Sequence, residues 1–209
     1  MTEQPWLHRL HIAVDGPATA LSSAAGDMAG AATGWFVDDR RVLRGLELTL
    51  DGERPEPVAV ASRGAITRVW SAARHLGTLG ADPTVEVHRT LELNGQDAKL
   101  TVVITSRATS DVTTHVQIAL ISDSAALSSI KAGDLPVNPG PDMVLGACAT
   151  WSDGRHQVRA VAHPPASIRQ PSGLDGSTFG WDLRVRPGCS VSVELLLQST
   201  RLQQTYFDS

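Results

Sequence analysis

The chain has 209 residues, of which 42% are hydrophobic and 19% charged, with a formal net charge of −4 and a pI near 5.9. That apolar content is enough for a packed core, which excludes a globally disordered chain. The mild acidity, with no run of more than two basic residues, excludes a basic surface for nucleic acid or anionic membrane.

Period-two alternation dominates the elements. Residues 7–14 read as a first strand, closed by Asp15-Gly16-Pro17. Leu46, Leu48 and Leu50 share one strand face and Glu47 and Thr49 the other. Asp51-Gly52 reads as a hairpin turn, because Gly supplies the positive φ of a primed turn, with residues 58–62 as the returning strand. Residues 66–76 form a further strand, with a short helix open at 72–75. Residues 85–93 alternate into Asn94-Gly95, the strongest hairpin signal in the chain, and residues 99–105 return. Residues 112–121 form the next strand, with Val112, Val116, Ile118 and Leu120 as its buried face.

Residues 122–141 break the pattern. Residues 127–131 suit a helical turn, and Asn138-Pro139-Gly140-Pro141 cannot pair in a sheet, so the segment reads as a surface loop. Four more strands follow at 143–151, 157–162, 179–185 and 191–197, separated by Gly and Pro turns. Ten to twelve strands with almost no helix predict an all-β fold, an antiparallel β-sandwich of the supersandwich-like kind. One domain over residues 1–209 is the expectation.

No apolar stretch approaches the roughly 20 residues of a membrane span, and residues 1–9 lack the apolar core of a signal peptide. Cys148 and Cys189 read as small buried hydrophobes with reduced thiols, since a disulfide needs a secreted context. A cytoplasmic protein is expected.

Motifs for chemistry are sparse. None of the 7 histidines forms an i, i+2 or HExxH pair, whereas zinc needs three or four convergent ligands. There is no Gly-x-Ser-x-Gly elbow and no CxxC pair. Gly26, Gly30 and Gly34 match neither nucleotide-loop fingerprint. Glycoside hydrolysis needs two carboxylates across the scissile bond, and the acidic residues here lie on strand faces or in turns. No metal, cofactor, nucleic acid or membrane partner is expected. The 5 tryptophans leave two readings open. Indole faces stack on sugars, yet Trp35, Trp70, Trp151 and Trp181 lie in strand patterns that suit a core or a domain interface. Trp6, near the terminus, fits either.

Gly26-Asp27, then Gly34-Trp35-Phe36-Val37-Asp38-Asp39-Arg40-Arg41 and the alternating strand after it, carry a more specific signal. This constellation resembles the N-terminal β-domain of bacterial glycogen-debranching enzymes of the amylo-α-1,6-glucosidase type. The likeness covers roughly the first half well and the remainder as a strand pattern. It implies a non-catalytic domain that supports a helical-barrel catalytic domain, in cis or in trans, and contacts α-glucan. In that family the catalytic acid and base lie in the barrel, and this chain has no run of amphipathic helices, so the barrel is absent from it. The second half also departs from the family in lacking an acidic, aromatic-rich segment after residue 121.

The resemblance singles out Asp39 and Arg41, with Asp27 and Trp35, as substrate-binding or interface candidates. An Arg fork grips carboxylates or sugar hydroxyls bidentately, and Asp39, two residues earlier, is expected on the same strand face. The alternatives stay open: an intradomain Asp–Arg pair that fixes a β-corner, and a plain turn at Gly26-Asp27. Two other classes also remain. A stand-alone carbohydrate-binding module predicts exposed coplanar Trp faces. A structural or oligomerising sandwich predicts buried Trp residues and an exposed apolar patch.

Overall fold

The computed structural model describes residues 9–77, 82–123, 125–133, 143–152, 155–170 and 176–202. The chain enters a first sheet with β1 (His11–Asp15), β2 (Ala18–Ser22), β3 (Met28–Ala29), β4 (Gly34–Val37) and β5 (Arg40–Leu50). It crosses to a second sheet for β6 (Glu56–Arg63), β7 (Ile66–Ala72), β8 (Val85–Asn94) and β9 (Asp97–Ser106). β10 (Val112–Ser122) returns to the first, followed by the short helix α1 (Leu127–Ala132). β11 (Met143–Leu145), β12 (Cys148–Ser152) and β13 (His156–His163) belong to the second sheet. β14 (Ser167–Arg169) and β15 (Gly176–Val185) belong to the first, and β16 (Ser190–Arg201) to the second.

Every pairing is antiparallel. The first sheet runs β1-β2-β4-β5-β10-β15-β14, with β3 extending the free edge of β5, and the second runs β11-β12-β13-β16-β9-β8-β7-β6. The chain is therefore an all-β sandwich. Alternation builds its core: Leu46, Leu48 and Leu50 of β5 and Val116, Ile118 and Leu120 of β10 join one cluster with Leu100, Val102 and Ile104 of β9. Each such side chain contributes about 1.5–3 kcal/mol when withdrawn from water. Trp35, Trp151, Trp181 and Phe179 are buried with them.

Several elements differ from the sequence expectation. Among the described residues there are sixteen strands rather than ten to twelve, and short strands such as β3, β11 and β14 account for much of the excess. Asp51-Gly52 does turn tightly, with φ of 50° and 83°, and Leu50 and Glu53 exchange backbone hydrogen bonds of 2.8 and 3.0 Å. The turn nevertheless carries the chain into the other sheet instead of pairing β5 with β6. Pro55 follows at once and has no N–H with which to extend a ladder. Residues 143–151 form the β11–β12 hairpin around Gly146 (φ 57°) rather than one strand. The 94–97 hairpin forms, with Asn94 paired to Asp97 so that Gly95 and Gln96 make the loop. Cys189 is exposed and Cys148 half-buried; both are free thiols. The first expected strand begins at His11; Leu7 and His8, like Trp6 and residues 138–141, lie outside the described residues.

Candidate functional site

Arg41 opens β5 as its second residue and is buried, with 2% of its surface exposed. Its Nε donates to Asp123 Oδ2 at 2.5 Å, and Nη1 donates to the Ala31 carbonyl at 2.7 Å and more weakly to that of Thr33 at 3.4 Å. Asp123 also accepts from the Ala125 amide through Oδ1 at 3.0 Å. Gly34 makes room for the guanidinium stem. A Cβ there would stand 2.6 Å from Arg41 Cδ and from the Leu43 carbonyl oxygen, and its φ is +146°. Asp39 takes no part in this arrangement. It shares the β4–β5 turn with Asp38, whose φ is 54°, and strand alternation does not apply there. Arg41 therefore has its partner 82 residues away rather than two, and the partner begins a segment that the sequence presents as surface loop.

Asp27 is buried as well. Arg89 of β8 donates to its Oδ1 at 2.8 Å, so a residue just before β3 in the first sheet grips a strand of the second. Gly26 (φ +75°) fits beneath this pair, where a Cβ would come within 2.8 Å of Val69 and would meet the Arg89 guanidinium. Trp35 packs in the core at 1% exposure. Asp27, Trp35 and Arg41 thus lie inside the fold, and Asp39 stands at the surface.

Asp39 lines a cleft of about 820 Å³ at one end of the sandwich, with Asp38, Arg40, Arg155, His156 and Arg201. The β4–β5 turn supplies the carboxylates, while the start of β13 and the end of β16 supply the facing cations. Arg201 also lines an adjoining groove of about 700 Å³ with Gln96, Asp97, Gln157, Arg159 and Gln198. Carboxylates accept only, guanidiniums donate only, and amides do both, so the two clefts are lined by both donors and acceptors. No sequence signal marked Arg155, Arg201, Gln157 or Gln198. They stand at or near strand ends far apart in the chain, where polar residues read as an ordinary solvated surface.

Other polar contacts lie on the sheet faces. His115 Nδ1 meets Asp182 Oδ1 at 2.7 Å on the first sheet. Arg54 Nε donates to Glu47 Oε1 at 2.6 Å, and this hydrogen bond raises the Arg54 pKa from its ordinary value, helped by the negative charges of Glu47 and Asp27. Trp70 on β7 is 41% exposed and stacks on His88 of β8, with ring centroids 4.9 Å apart. Among the described residues, no group of three His, Cys, Asp or Glu side chains is placed to hold a metal ion. Nor is any helix there long and apolar enough to cross a membrane.

Comparisons with known proteins agree with this architecture. A search of curated proteins finds no match. A candidate aldose 1-epimerase from Escherichia coli K12 superposes with a TM-score of 0.56 at 9% identity, over 92% of this chain and 99% of that one. A candidate kojibiose phosphorylase from the human microbiome gives 0.52 at 9% identity, over 90% of this chain but 27% of the other. A mutant of the heparan sulfate lyase HepC from Pedobacter heparinus gives 0.51 at 10% identity, over 90% and 34%. At such identities the likeness shows the fold alone. The chain spans nearly all of the first of these proteins, and about a quarter and a third of the other two. A family model described as the N-terminal domain of some glycogen debranching enzymes matches residues 14–196. That span includes Gly26-Asp27, the 34–41 segment, and both of the buried ion pairs these residues form, and the chain belongs to this family of debranching-enzyme N-terminal domains.

Proposed function

We propose that the chain is a single non-catalytic β-sandwich domain in α-glucan metabolism. It supports the helical barrel of an α-1,6-glucosidase and contacts the glucan through the cleft around Asp39 and Arg201. The observation that carries this reading is the composition of that cleft. Two carboxylates and Arg40 on one side meet Arg155, His156 and Arg201 on the other, a lining that can hydrogen-bond neutral sugar hydroxyls without demanding a charged ligand.

The non-catalytic part rests on the fate of the buried carboxylates. Asp27 and Asp123 are the only ones among the described residues, and each is committed to an arginine. Neither is available to protonate a leaving group, the task that glycoside hydrolysis sets for one of its two carboxylates. Calorimetric titration with maltoheptaose tests the contact. Binding is expected, weakened about tenfold, or ~1.4 kcal/mol, by either Arg201→Ala or Asp39→Ala. Undiminished affinity in both variants overturns the assignment of the cleft. Release of glucose from a branched limit dextrin by the isolated chain overturns the non-catalytic role.

A second reading, a stand-alone carbohydrate-binding module, draws on one observation. Trp70 presents an indole ring at the surface, backed by His88, and such a ring stacks on the C–H face of a pyranose. Loss of glucan binding on Trp70→Ala, with Arg201→Ala silent, favours it.

A further inference from the structure

Three hydrogen bonds fasten β1 and two hairpin turns of the second sheet to one another. Val14 of β1 donates its amide to the Gly64 carbonyl at 2.9 Å, and Leu93 of β8 donates to the neighbouring Ala65 carbonyl at 2.9 Å. The third bond closes the set: the Gly95 amide donates to Asp15 Oδ2 at 2.7 Å. Asp15 ends β1 in the first sheet, and Gly95 opens the loop of the β8–β9 hairpin in the second. Glycine suits that position because φ is +60°; space is not the reason, since a Cβ there would meet nothing within 4 Å. The residue before it is Asn94, exposed at the end of β8. Asparagine followed by glycine is the pair most prone to lose its side-chain amide, because no Cβ shields the next main-chain nitrogen. Gly95 also lies beyond the last ladder pair, Asn94 with Asp97, and the partner that holds its N–H is the Asp15 carboxylate.

We propose that Asn94 is a deamidation site and that the Asp15 carboxylate guards it. The reaction begins when the Gly95 nitrogen gives its proton to hydroxide and attacks Asn94 Cγ. The Cγ–Nδ2 bond breaks, Nδ2 leaves as ammonia after taking a proton from water, and a cyclic imide remains. Water then adds to either imide carbonyl and opens the ring to aspartate or isoaspartate. One water is consumed, one ammonia is released, nothing is oxidised or reduced, and the turn gains a negative charge. The reactive form is the deprotonated nitrogen, and a carboxylate 2.7 Å away disfavours it twice. It accepts the hydrogen bond that the proton supplies, and its own charge repels the amide anion. The turn is therefore slow to react while β1 is seated, and reacts when β1, an edge strand, opens locally at less than the cost of global unfolding. Reclosure is then opposed. The new carboxylate stands opposite Asp97 in the hairpin pair, where like charges destabilise a ladder, and Asp15 adds a further negative charge at the same turn. Conversion of Asn94 makes a passing opening of β1 permanent.

Peptide mapping by mass spectrometry, on the full chain incubated at neutral pH, tests the site and its guard separately. The urea-unfolded chain is expected to convert Asn94 steadily, and the folded wild type far more slowly. Folded Asp15→Ala is expected to convert about tenfold faster than the folded wild type, the factor that follows from losing one hydrogen bond to a charged group. Equal rates in the two overturn the guard. Should Asp15→Ala fail to fold, Asp15→Asn decides, because it keeps an acceptor and the side-chain volume and loses only the charge. Faster conversion than in the wild type supports the guard, and an equal rate overturns it. An Asn94 that stays intact even in the unfolded chain overturns the site itself. Asn94→Gln is the control: the mass gain should vanish from this peptide, and a gain that survives lies at another residue and overturns the assignment.

Discussion

Arg41 and Asp123 form a 2.5 Å ion pair in which the two side chains are only 2% and 1% exposed. The pair ties the start of β5 to the residue just after β10. Removing one partner leaves a buried charge uncompensated, which costs about 3–5 kcal/mol. Asp123→Ala is expected to lower the unfolding free energy by that margin, read from urea unfolding as a fall in the midpoint, and Arg41→Met to do likewise. The double variant should lose less than the sum of the two, because it leaves no orphan charge.

Gly34→Ala should damage the same element without touching a charge. The added methyl would press on Arg41 Cδ and the Leu43 carbonyl from a backbone of positive φ. Strain of this kind exceeds the ~1 kcal/mol that Gly→Ala gains where the backbone permits it. Gly52→Ala is the control, since its position is open, with nothing within 4 Å of a Cβ. Thermal unfolding of both variants, side by side, separates steric conflict from the cost of the positive φ alone.

The tryptophans divide by burial. Trp35→Ala is expected to cost about 3–5 kcal/mol as a core cavity, while Trp70→Ala, on the outer face, should stay within about 1 kcal/mol. Stepwise acrylamide quenching of intrinsic fluorescence checks the division. The readily quenched component contributed by Trp70 should vanish in Trp70→Ala.

Glucan binding in the Asp39–Arg201 cleft should depend little on ionic strength. A neutral ligand leaves only short-range hydrogen bonds for salt to act on, and at about 1 M salt, exposed charges beyond roughly 3 Å are screened. Maltoheptaose affinity within about twofold between low and high salt is expected. A steep loss would point to an anionic ligand in its place.

Where alternation was long and one face apolar, the fold could be read from the sequence. β8, β9 and β10 lie close to where the period placed them, and Val112, Val116, Ile118 and Leu120 are all buried. Pairing partners were less legible, because Asp51-Gly52 dictates a reversal of direction and says nothing about which sheet receives the chain. β2 escaped notice because its buried face is Ala18, Ala20 and Ser22, residues too small to stand out in an alternating pattern. The family signature itself was visible, but not its role. An arginine in a strand reads as solvent-facing until its partner is known, and the partner of Arg41 lies 82 residues on.

The place of β16 has a consequence for synthesis. It lies between β13 and β9, so the two halves of the second sheet meet only through the last described strand. Until residues 190–201 have emerged from the ribosome, β9 and β13 each present an unpaired edge to whatever is nearby. Non-local pairing of this kind folds slowly and exposes strand edges to aggregation. Truncation before Ser190 is therefore far more damaging than the loss of one strand, because it leaves two separate half-sheets where β16 otherwise joins them into one continuous eight-stranded sheet.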